Sequence, residues 1–165
     1  MIDPKYKKIL IVFSIIFIIF AVDRVSKIYL LNLSEIGIKI DFYILPVLNI
    51  FLVWNTGIGF GLFSNDPNIW YHSLTLLIGV INLILLFLIF KIKDIRKYFI
   101  SVVLGGSIGN FFDRVYYFAV PDFLDLHIGD FHWFIFNIAD IFISLGIMGL
   151  ILFEFIKKYK NKKNI

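Results

Sequence analysis

The sequence predicts an all-α membrane protein with four transmembrane helices, and three observations support this fold class. Of the 165 residues, 60% are hydrophobic and only 17% are charged, whereas soluble domains carry about 25% charged residues. Four apolar segments are each close to the ~20 residues that a helix needs to cross a bilayer. The basic residues are clustered so that, with four spans, nearly all of them fall on one side of the membrane.

The four segments are predicted to form one integral membrane domain over residues 1–165. Each is expected to be a helix, because every backbone N–H and C=O in lipid needs a partner within its own segment. The first segment follows lysines, as a signal peptide would, but no small-x-small cleavage site comes after it, so a retained span is expected. The predicted spans cover residues 9–31, 72–90, 98–115 and 134–155.

The basic clusters orient these spans. The two loops on the opposite side, 32–71 and 116–133, contain a single basic residue, Lys39. The positive-inside rule therefore places both termini in the cytoplasm and these two loops outside. The net charge of +4 reflects this topology, so a nucleic-acid partner is not expected. Twelve of the 16 basic residues form the clusters: Lys5, Lys7 and Lys8; Lys91, Lys93, Arg96 and Lys97; and Lys157, Lys158, Lys160, Lys162 and Lys163.

The first outer loop is predicted to contain a small β-sheet over residues 36–61. Residues 36–42 alternate apolar and polar side chains, which indicates a strand. A second, more apolar strand is predicted over 47–54, after Pro46, and a glycine-rich turn follows over 55–61. The second outer segment, 116–133, is expected to be a loop.

Carboxylates on three predicted spans fall at one depth, near the outer surface. Counted from the cytoplasmic edge at 1.5 Å per residue, Asp23, Asp113 and Asp140 lie roughly 21, 24 and 26 Å into a hydrocarbon core about 30 Å thick. Charged groups inside a span usually mark function, so this convergence predicts one site rather than separate ion pairs. The polar residues at the same level are Arg24, Lys27, Asn110, Arg114 and Asn137.

The available side chains indicate acid–base chemistry. Cysteine is absent, and no serine or histidine lies in a nucleophile or metal-binding motif, so neither a metal nor a cofactor is expected. Two neighbouring aspartates do not both ionise easily, so one can hold a proton while the other acts as a base. Such a pair can activate water and protonate a leaving amine. These residues alone leave open an aspartyl hydrolase, a small proton-coupled membrane transporter and a structural subunit that docks a partner.

Five short motifs occur in order along the chain: Asp23-x-x-Ser-Lys27, Asn55-x-Gly-Ile-Gly-Phe60, Gly105-Gly-Ser-Ile-Gly-Asn-Phe-Phe-Asp-Arg114, Val120-Pro-Asp-Phe123 and Phe136-Asn-Ile-Ala-Asp140. Each motif is weak alone, but five in order with the expected topology are specific. Together they closely resemble the bacterial lipoprotein signal peptidase (signal peptidase II) family over nearly the whole chain.

The resemblance implies an aspartyl endopeptidase of the bacterial cytoplasmic (inner) membrane, with its active site at the outer face. Its substrates would be diacylglyceryl-modified prolipoproteins anchored in membrane lipid, cut N-terminal to the lipidated cysteine, and globomycin would inhibit it. The family fold adds a small β-sheet cradle and a short outer helix to the four spans. The catalytic pair falls on Asp122 and Asp140. The other motif residues, which position substrate or support the site, fall on Asp23, Lys27, Asn55, Gly57, Asn110, Asp113, Arg114, Asn137 and Ala139.

Two residues close to Asp122 complicate its assignment. Pro121 stands where the family usually has an aliphatic residue, and its fixed φ predicts a stiffer approach to Asp122. Asp125 is a second carboxylate three residues away. Chemistry alone does not separate Asp125 from Asp122, and only the motif position selects Asp122.

Overall fold

The computed structural model describes residues 3–57 and 67–163, which form four helices and one antiparallel sheet. The helices are α1 (Pro4–Glu35), α2 (Pro67–Lys91), α3 (Arg96–Tyr116) and α4 (Ile138–Lys163). The strands are β1 (Asp41–Leu45), β2 (Leu48–Asn55), β3 (Val120–Ile128) and β4 (Phe131–Phe136), in the spatial order β1-β2-β3-β4.

Three helices within the described residues are long and apolar enough to cross a membrane, so the chain is a multi-pass membrane protein. The prediction of four transmembrane helices is therefore confirmed only in part. The segment 98–115 lies in α3, which does not reach the same apolar criterion because it carries Asn110, Asp113 and Arg114. The three qualifying helices are Tyr6–Glu35, Ile69–Lys91 and Ile138–Asn161.

α3 lies in the middle of the helices and contacts α1, α2 and α4. Two glycines on α3 allow its neighbours to approach its backbone. A Cβ added at Gly106 would lie 2.5 Å from the carbonyl oxygen of Ala139, and one added at Gly109 would lie 2.6 Å from Oδ2 of Asp23. The small residues of α3 therefore bring α1 and the start of α4 together at one level.

One face of α1 is buried against the rest of the protein. Val12, Ile16 and Ile19 are buried at the three- and four-residue spacing of a helical stripe. Asp23 and Lys27 continue the same stripe and are fully buried. These two charged side chains therefore face the protein interior and not lipid.

α1 runs beyond the predicted span, and this moves the first strand. The helix ends in a Schellman motif, in which Gly37 N–H donates to Ser34 O at 3.1 Å and Ile38 N–H donates to Leu33 O at 3.0 Å. Gly37 has φ +83°, a conformation that glycine adopts without a steric penalty. The glycine expected within a strand thus ends the helix, and β1 begins at Asp41 instead of residue 36.

The sheet is larger than predicted, because its four strands come from two distant parts of the chain. β2 pairs with β3, so the segment 116–133, expected as a loop, supplies β3 and the start of β4. α4 begins at Ile138, later than the predicted residue 134, because β4 continues to Phe136. Pro121 lies beyond the paired part of β4, where β3 has a neighbour on one side only. Proline is tolerated in strands at such open edges.

Two expectations concern residues that the structure describes only in part. The glycine-rich turn predicted over 55–61 lies outside the described residues from residue 58 onward. Residues 3–57 and 67–163 contain no short outer helix.

Candidate active site

Asp122 lies on β3 and is only 3% exposed. Its Oδ2 accepts a hydrogen bond from Nδ2 of Asn55 at 2.9 Å, and its Oδ1 accepts one from Nδ2 of Asn137 at 2.6 Å. Burial disfavours the ionised carboxylate and raises the pKa of Asp122 to about 6. The two amide donors oppose this rise, and the neighbouring carboxylate of Asp140 adds to it. Such a group can hold or release a proton near neutral pH.

Asp140 lies in the first turn of α4 and takes part in a reciprocal helix cap. Its Oδ2 accepts a hydrogen bond from Asn137 N–H at 3.1 Å, and its own N–H donates to Oδ1 of Asn137 at 3.2 Å. Its Oδ1 accepts a further hydrogen bond from Nδ2 of Asn110 at 2.7 Å. The positive end of the helix dipole favours a carboxylate at this position.

The side chain of Asn137 joins the two aspartates. It is fully buried, and both of its polar atoms are used. Its oxygen accepts from the backbone of Asp140, while its nitrogen donates to Asp122. One amide therefore fixes the orientation of β3 relative to the first turn of α4.

A cluster of buried charged side chains lies beside the aspartates. Nζ of Lys27 lies 2.6 Å from Oδ2 of Asp113 and 3.0 Å from Oδ1 of Asp23. Arg24 donates to Asp23 at 2.7 Å and also forms a close ion pair with Asp113. The two cations balance the two anions, and buried ions are tolerated only when they are paired in this way. We call Asp23, Arg24, Lys27 and Asp113 the ionic cluster.

Two hydrogen bonds connect the ionic cluster to the start of α4. Oδ1 of Asp23 accepts a hydrogen bond from Ala139 N–H at 3.1 Å. Nζ of Lys27 donates to Oδ1 of Asn110 at 3.0 Å. Because an ammonium group can only donate, it holds the amide oxygen of Asn110 and leaves the amide nitrogen to face Asp140.

Arg114 and Asn55 hold the backbone that follows β2. Oδ1 of Asn55 accepts a hydrogen bond from Gly57 N–H at 3.0 Å, and Arg114 donates to Gly57 O at 2.9 Å. The Tyr71 hydroxyl donates to Arg114 O at 2.6 Å, and its ring lies 5.6 Å from the guanidinium carbon. No motif in the sequence marks Tyr71, so its contact with Arg114 was not predicted. Arg24 was expected at the depth of the site, but no role was predicted for it.

The two aspartates line one cavity of about 310 Å³. Polar side chains form one wall, and apolar side chains of α2, β3 and α4 form the other. A space of this kind suits a polar backbone segment joined to an apolar chain. The polar wall comprises Asn55, Asn110, Arg114, Asp122, Asn137 and Asp140, and the remainder comprises Gly57, Leu74, Ile78, Ser107, Val120 and Ile143.

Asp125 does not line this cavity. Side chains alternate along a strand, so residues three apart, such as Asp122 and Asp125, point to opposite faces. Oδ2 of Asp125 lies 2.7 Å from Nδ1 of His132 on β4. Of the two carboxylates on β3, the structure therefore brings only Asp122 towards Asp140. Within the described residues, no group of three or more His, Cys, Asp or Glu side chains is arranged to hold a metal ion.

The fold and the site define a class of protein: a multi-pass membrane protein in which a buried carboxylate, Asp122, and a partly buried one, Asp140, line one cavity. The family described as signal peptidase (SPase) II matches residues 15–156. The chain belongs to this family of membrane peptidases.

Individual relatives agree with this membership. The lipoprotein signal peptidase of Pelagibacter ubique (strain HTCC1062) is 51% identical over 152 residues, which cover 91% of this chain and 92% of that protein. The lipoprotein signal peptidase of Aquifex aeolicus (strain VF5) is 40% identical over 147 residues, covering 88% and 86%. A bacterial membrane enzyme solved by the in meso method at 2.3 Å resolution has 30% identity and a TM-score of 0.64, covering 94% of this chain and 91% of that one.

Proposed function

We propose that this protein is an aspartyl endopeptidase that removes signal peptides from diacylglyceryl-modified prolipoproteins, cutting N-terminal to the lipidated cysteine. The observation that carries the proposal is the pair Asp122 and Asp140, whose carboxylates line one cavity. Both residues also hydrogen-bond to the side-chain amide of Asn137, Asp122 through its carboxylate and Asp140 through its backbone N–H. The relatives named lipoprotein signal peptidase support the choice of substrate.

In the proposed reaction, the scissile amide lies between the two carboxylates. The ionised aspartate takes a proton from a water molecule, whose oxygen attacks the carbonyl carbon. The protonated aspartate stabilises the developing oxyanion and then gives its proton to the leaving nitrogen. No covalent intermediate with the enzyme forms.

The remaining motif residues have supporting roles in this proposal. Asn55, Asn110 and Asn137 donate hydrogen bonds to the two carboxylates. The ionic cluster orients Asn110 and binds the Ala139 N–H. Arg114 secures Gly57 at the edge of the cavity.

The proposal extends to the membrane. α3 crosses as the fourth span, with its polar residues protected by the helices on either side. Both termini then lie in the cytoplasm, and the cavity lies near the outer face of the bacterial cytoplasmic membrane. The signal helix would approach between α2 and α4, where Leu74, Ile78 and Ile143 form the apolar wall, while the lipid chains stay in the bilayer. Globomycin-type inhibitors would occupy the same cavity.

A cleavage assay with purified protein tests this function. Two substrates of identical sequence are compared, one with a diacylglyceryl-modified cysteine and one with a free cysteine. We expect cleavage N-terminal to the modified cysteine, inhibition by globomycin and little cleavage of the unmodified peptide. Failure to cut the modified substrate, or equal cutting of both, would overturn the proposal. The family membership gives no support to the alternative of a proton-coupled transporter, which predicts proton flux in vesicles without cleavage.

A further inference from the structure

The cavity that holds the two aspartates extends one helical turn further from the β-sheet. Asn110 of α3 and Asp140 of α4 are joined by a hydrogen bond of 2.7 Å. Ser107 lies three residues before Asn110, Ile143 lies three residues after Asp140, and both line the same cavity. Residues three apart on a helix share a face and are separated by about 4.5 Å along its axis. Ser107 and Ile143 therefore lie one turn beyond the aspartates.

These two residues lie at the same level of the antiparallel helices α3 and α4. Ile143 packs against Gly106, the neighbour of Ser107 in the chain, because a Cβ added at Gly106 would lie 3.0 Å from Cγ1 of Ile143. Ile78 joins them from α2, one turn beyond Leu74, which also lines the cavity. We call Ser107, Ile78 and Ile143 the second layer of the cavity.

The side chains of the second layer differ in size. Ile78 on α2 and Ile143 on α4 are branched and bulky, and branching at Cβ restricts the conformations that they can adopt. Ser107 belongs to α3, which contacts both of these helices and so forms the back of the space between them. Since the serine side chain is the smallest of the three, residue 107 leaves room in this layer.

In the proposed reaction, the second layer faces the part of the substrate that precedes the scissile bond. The signal helix extends from this bond into the bilayer between α2 and α4, and the second layer lies in that direction. An extended chain advances about 3.3 Å per residue. A layer one helical turn from the aspartates, about 4.5 Å away, is therefore reached by the first or second residue before the bond.

On the basis of the proposed function, we propose that Ser107 is a specificity-determining residue. Because its side chain is small, the second layer admits the side chain of one of the two residues that precede the scissile bond. A larger residue at position 107 would occupy this space, and it would exclude bulky substrate side chains before it excludes small ones.

A panel of diacylglyceryl-modified substrates tests this role. The parent has alanine at both positions before the scissile bond, and in two further substrates one of these alanines is replaced by valine. For one of the valine substrates, Ser107→Leu should lower kcat/KM by on the order of tenfold to a hundredfold more than for the parent, because small misfits in an apolar pocket have effects of this size. Ser144→Leu is the matched control, since Ser144 is exposed beside Ile143 and does not line the cavity, and it should leave the ratios unchanged.

The outcomes separate this role from the proposed function. If the wild-type protein cuts none of the substrates, the proposed function is wrong, and so is the role of Ser107. If the wild-type protein cuts them and Ser107→Leu has the same ratios at both positions, only the role of Ser107 is wrong. A change in the dependence on acyl-chain length alone would place a lipid chain in the second layer and would also overturn the role.

Thiol labelling gives a second readout, which stays valid if Ser107→Leu fails to fold. The chain has no cysteine, so Ser107→Cys carries a single thiol on a side chain of nearly the same size. An Asp140→Asn background keeps the bound parent substrate uncut, and the cysteine of that substrate is blocked by its lipid. With the substrate at about ten times its Kd, labelling of Ser107→Cys by a small methanethiosulfonate in detergent should slow roughly tenfold. Labelling of Ser144→Cys in the same background should not slow, and equal effects of the substrate on both variants would overturn the role of Ser107.

Discussion

Asn137 donates its amide nitrogen to the carboxylate of Asp122 across 2.6 Å, and this bond ties the start of α4 to β3. The same amide accepts a hydrogen bond from the backbone of Asp140. The helix cap and the support of Asp122 are thus two uses of one side chain. Loss of the whole Asn137 side chain should therefore affect both helix stability and the site, whereas a residue that still caps the helix should affect the site alone.

Asn137→Ser separates them. Serine caps helices well, but its side chain is too short to replace the amide donor to Asp122, whereas Asn137→Ala loses the cap as well. We expect both variants to lose most of their kcat, and Asn137→Ala to be less stable than Asn137→Ser by about 1 kcal/mol. Unfolding in detergent and cleavage assays measure the two effects. Equal stability of the two variants would show that the cap is unimportant.

The buried carboxyl of Asp122 should make stability depend on pH. Burial raises its pKa to about 6 in the folded protein, from 3.8 for the free side chain, so between these values the folded state binds more protons than the unfolded state. The free energy of unfolding therefore falls as the pH rises from about 4 to about 6, by up to about 3 kcal/mol for this group. Asp122→Asn has no carboxyl group to titrate here, so its free energy of unfolding should not fall in this way. The free energy of unfolding of Asp122→Asn, relative to that of wild type, should rise over the same pH interval. Parallel pH profiles of the two proteins would contradict the raised pKa of Asp122.

The ionic cluster should be sensitive to loss of one cation. Lys27→Met leaves Asp23 and Asp113 buried with only Arg24 to balance them. Breaking a buried pair in this way costs about 3–5 kcal/mol. Lys39→Met is the matched control, because the Lys39 side chain is 79% exposed and its ion pair contributes at most about 1 kcal/mol. If the two variants had similar free energies of chemical unfolding, the buried ion pairs of Lys27 would not stabilise the protein as proposed.

The contact between α3 and α1 should not accommodate a methyl group at Gly109. A Cβ there would lie 2.6 Å from Oδ2 of Asp23, so Gly109→Ala should push Asp23 away from the Ala139 N–H. We expect a loss of about 1–3 kcal/mol together with reduced cleavage. In Gly79→Ala the Cβ would lie 3.1 Å from the Phe111 ring, which can shift, so this control should change less. Thermal unfolding of both variants distinguishes the two cases.

The helical part of the site could be predicted because depth and helical face are local properties of a span. Counting residues placed Asp23, Asp113 and Asp140 at one level, and the structure joins them through Lys27 and Asn110. A helix repeats its geometry at every turn, so such counting remains valid over a whole span.

The sheet part of the site could not be predicted in the same way. Asp122 reaches its position because β3 pairs with β2, about 70 residues earlier in the chain, and no local pattern encodes such a pairing. Pro121 and two aspartates made the segment resemble a loop. Gly37 was predicted to lie in a strand, but it ends α1. Its role there depends on backbone hydrogen bonds, which the alternation of apolar and polar side chains does not reveal. For Asp122 the family resemblance supplied what the residue pattern did not.

Cleavage of a diacylglyceryl-modified substrate by Asp122→Asn and Asp140→Asn, made singly, tests the dyad most directly. Each variant should insert into the membrane normally and lose cleavage by on the order of a thousandfold or more, because each removes a group that transfers a proton. Asp125→Asn should retain measurable cleavage, since Asp125 faces away from the cavity. Near-normal cleavage by either Asp122→Asn or Asp140→Asn would contradict the assignment of these two residues as the catalytic pair.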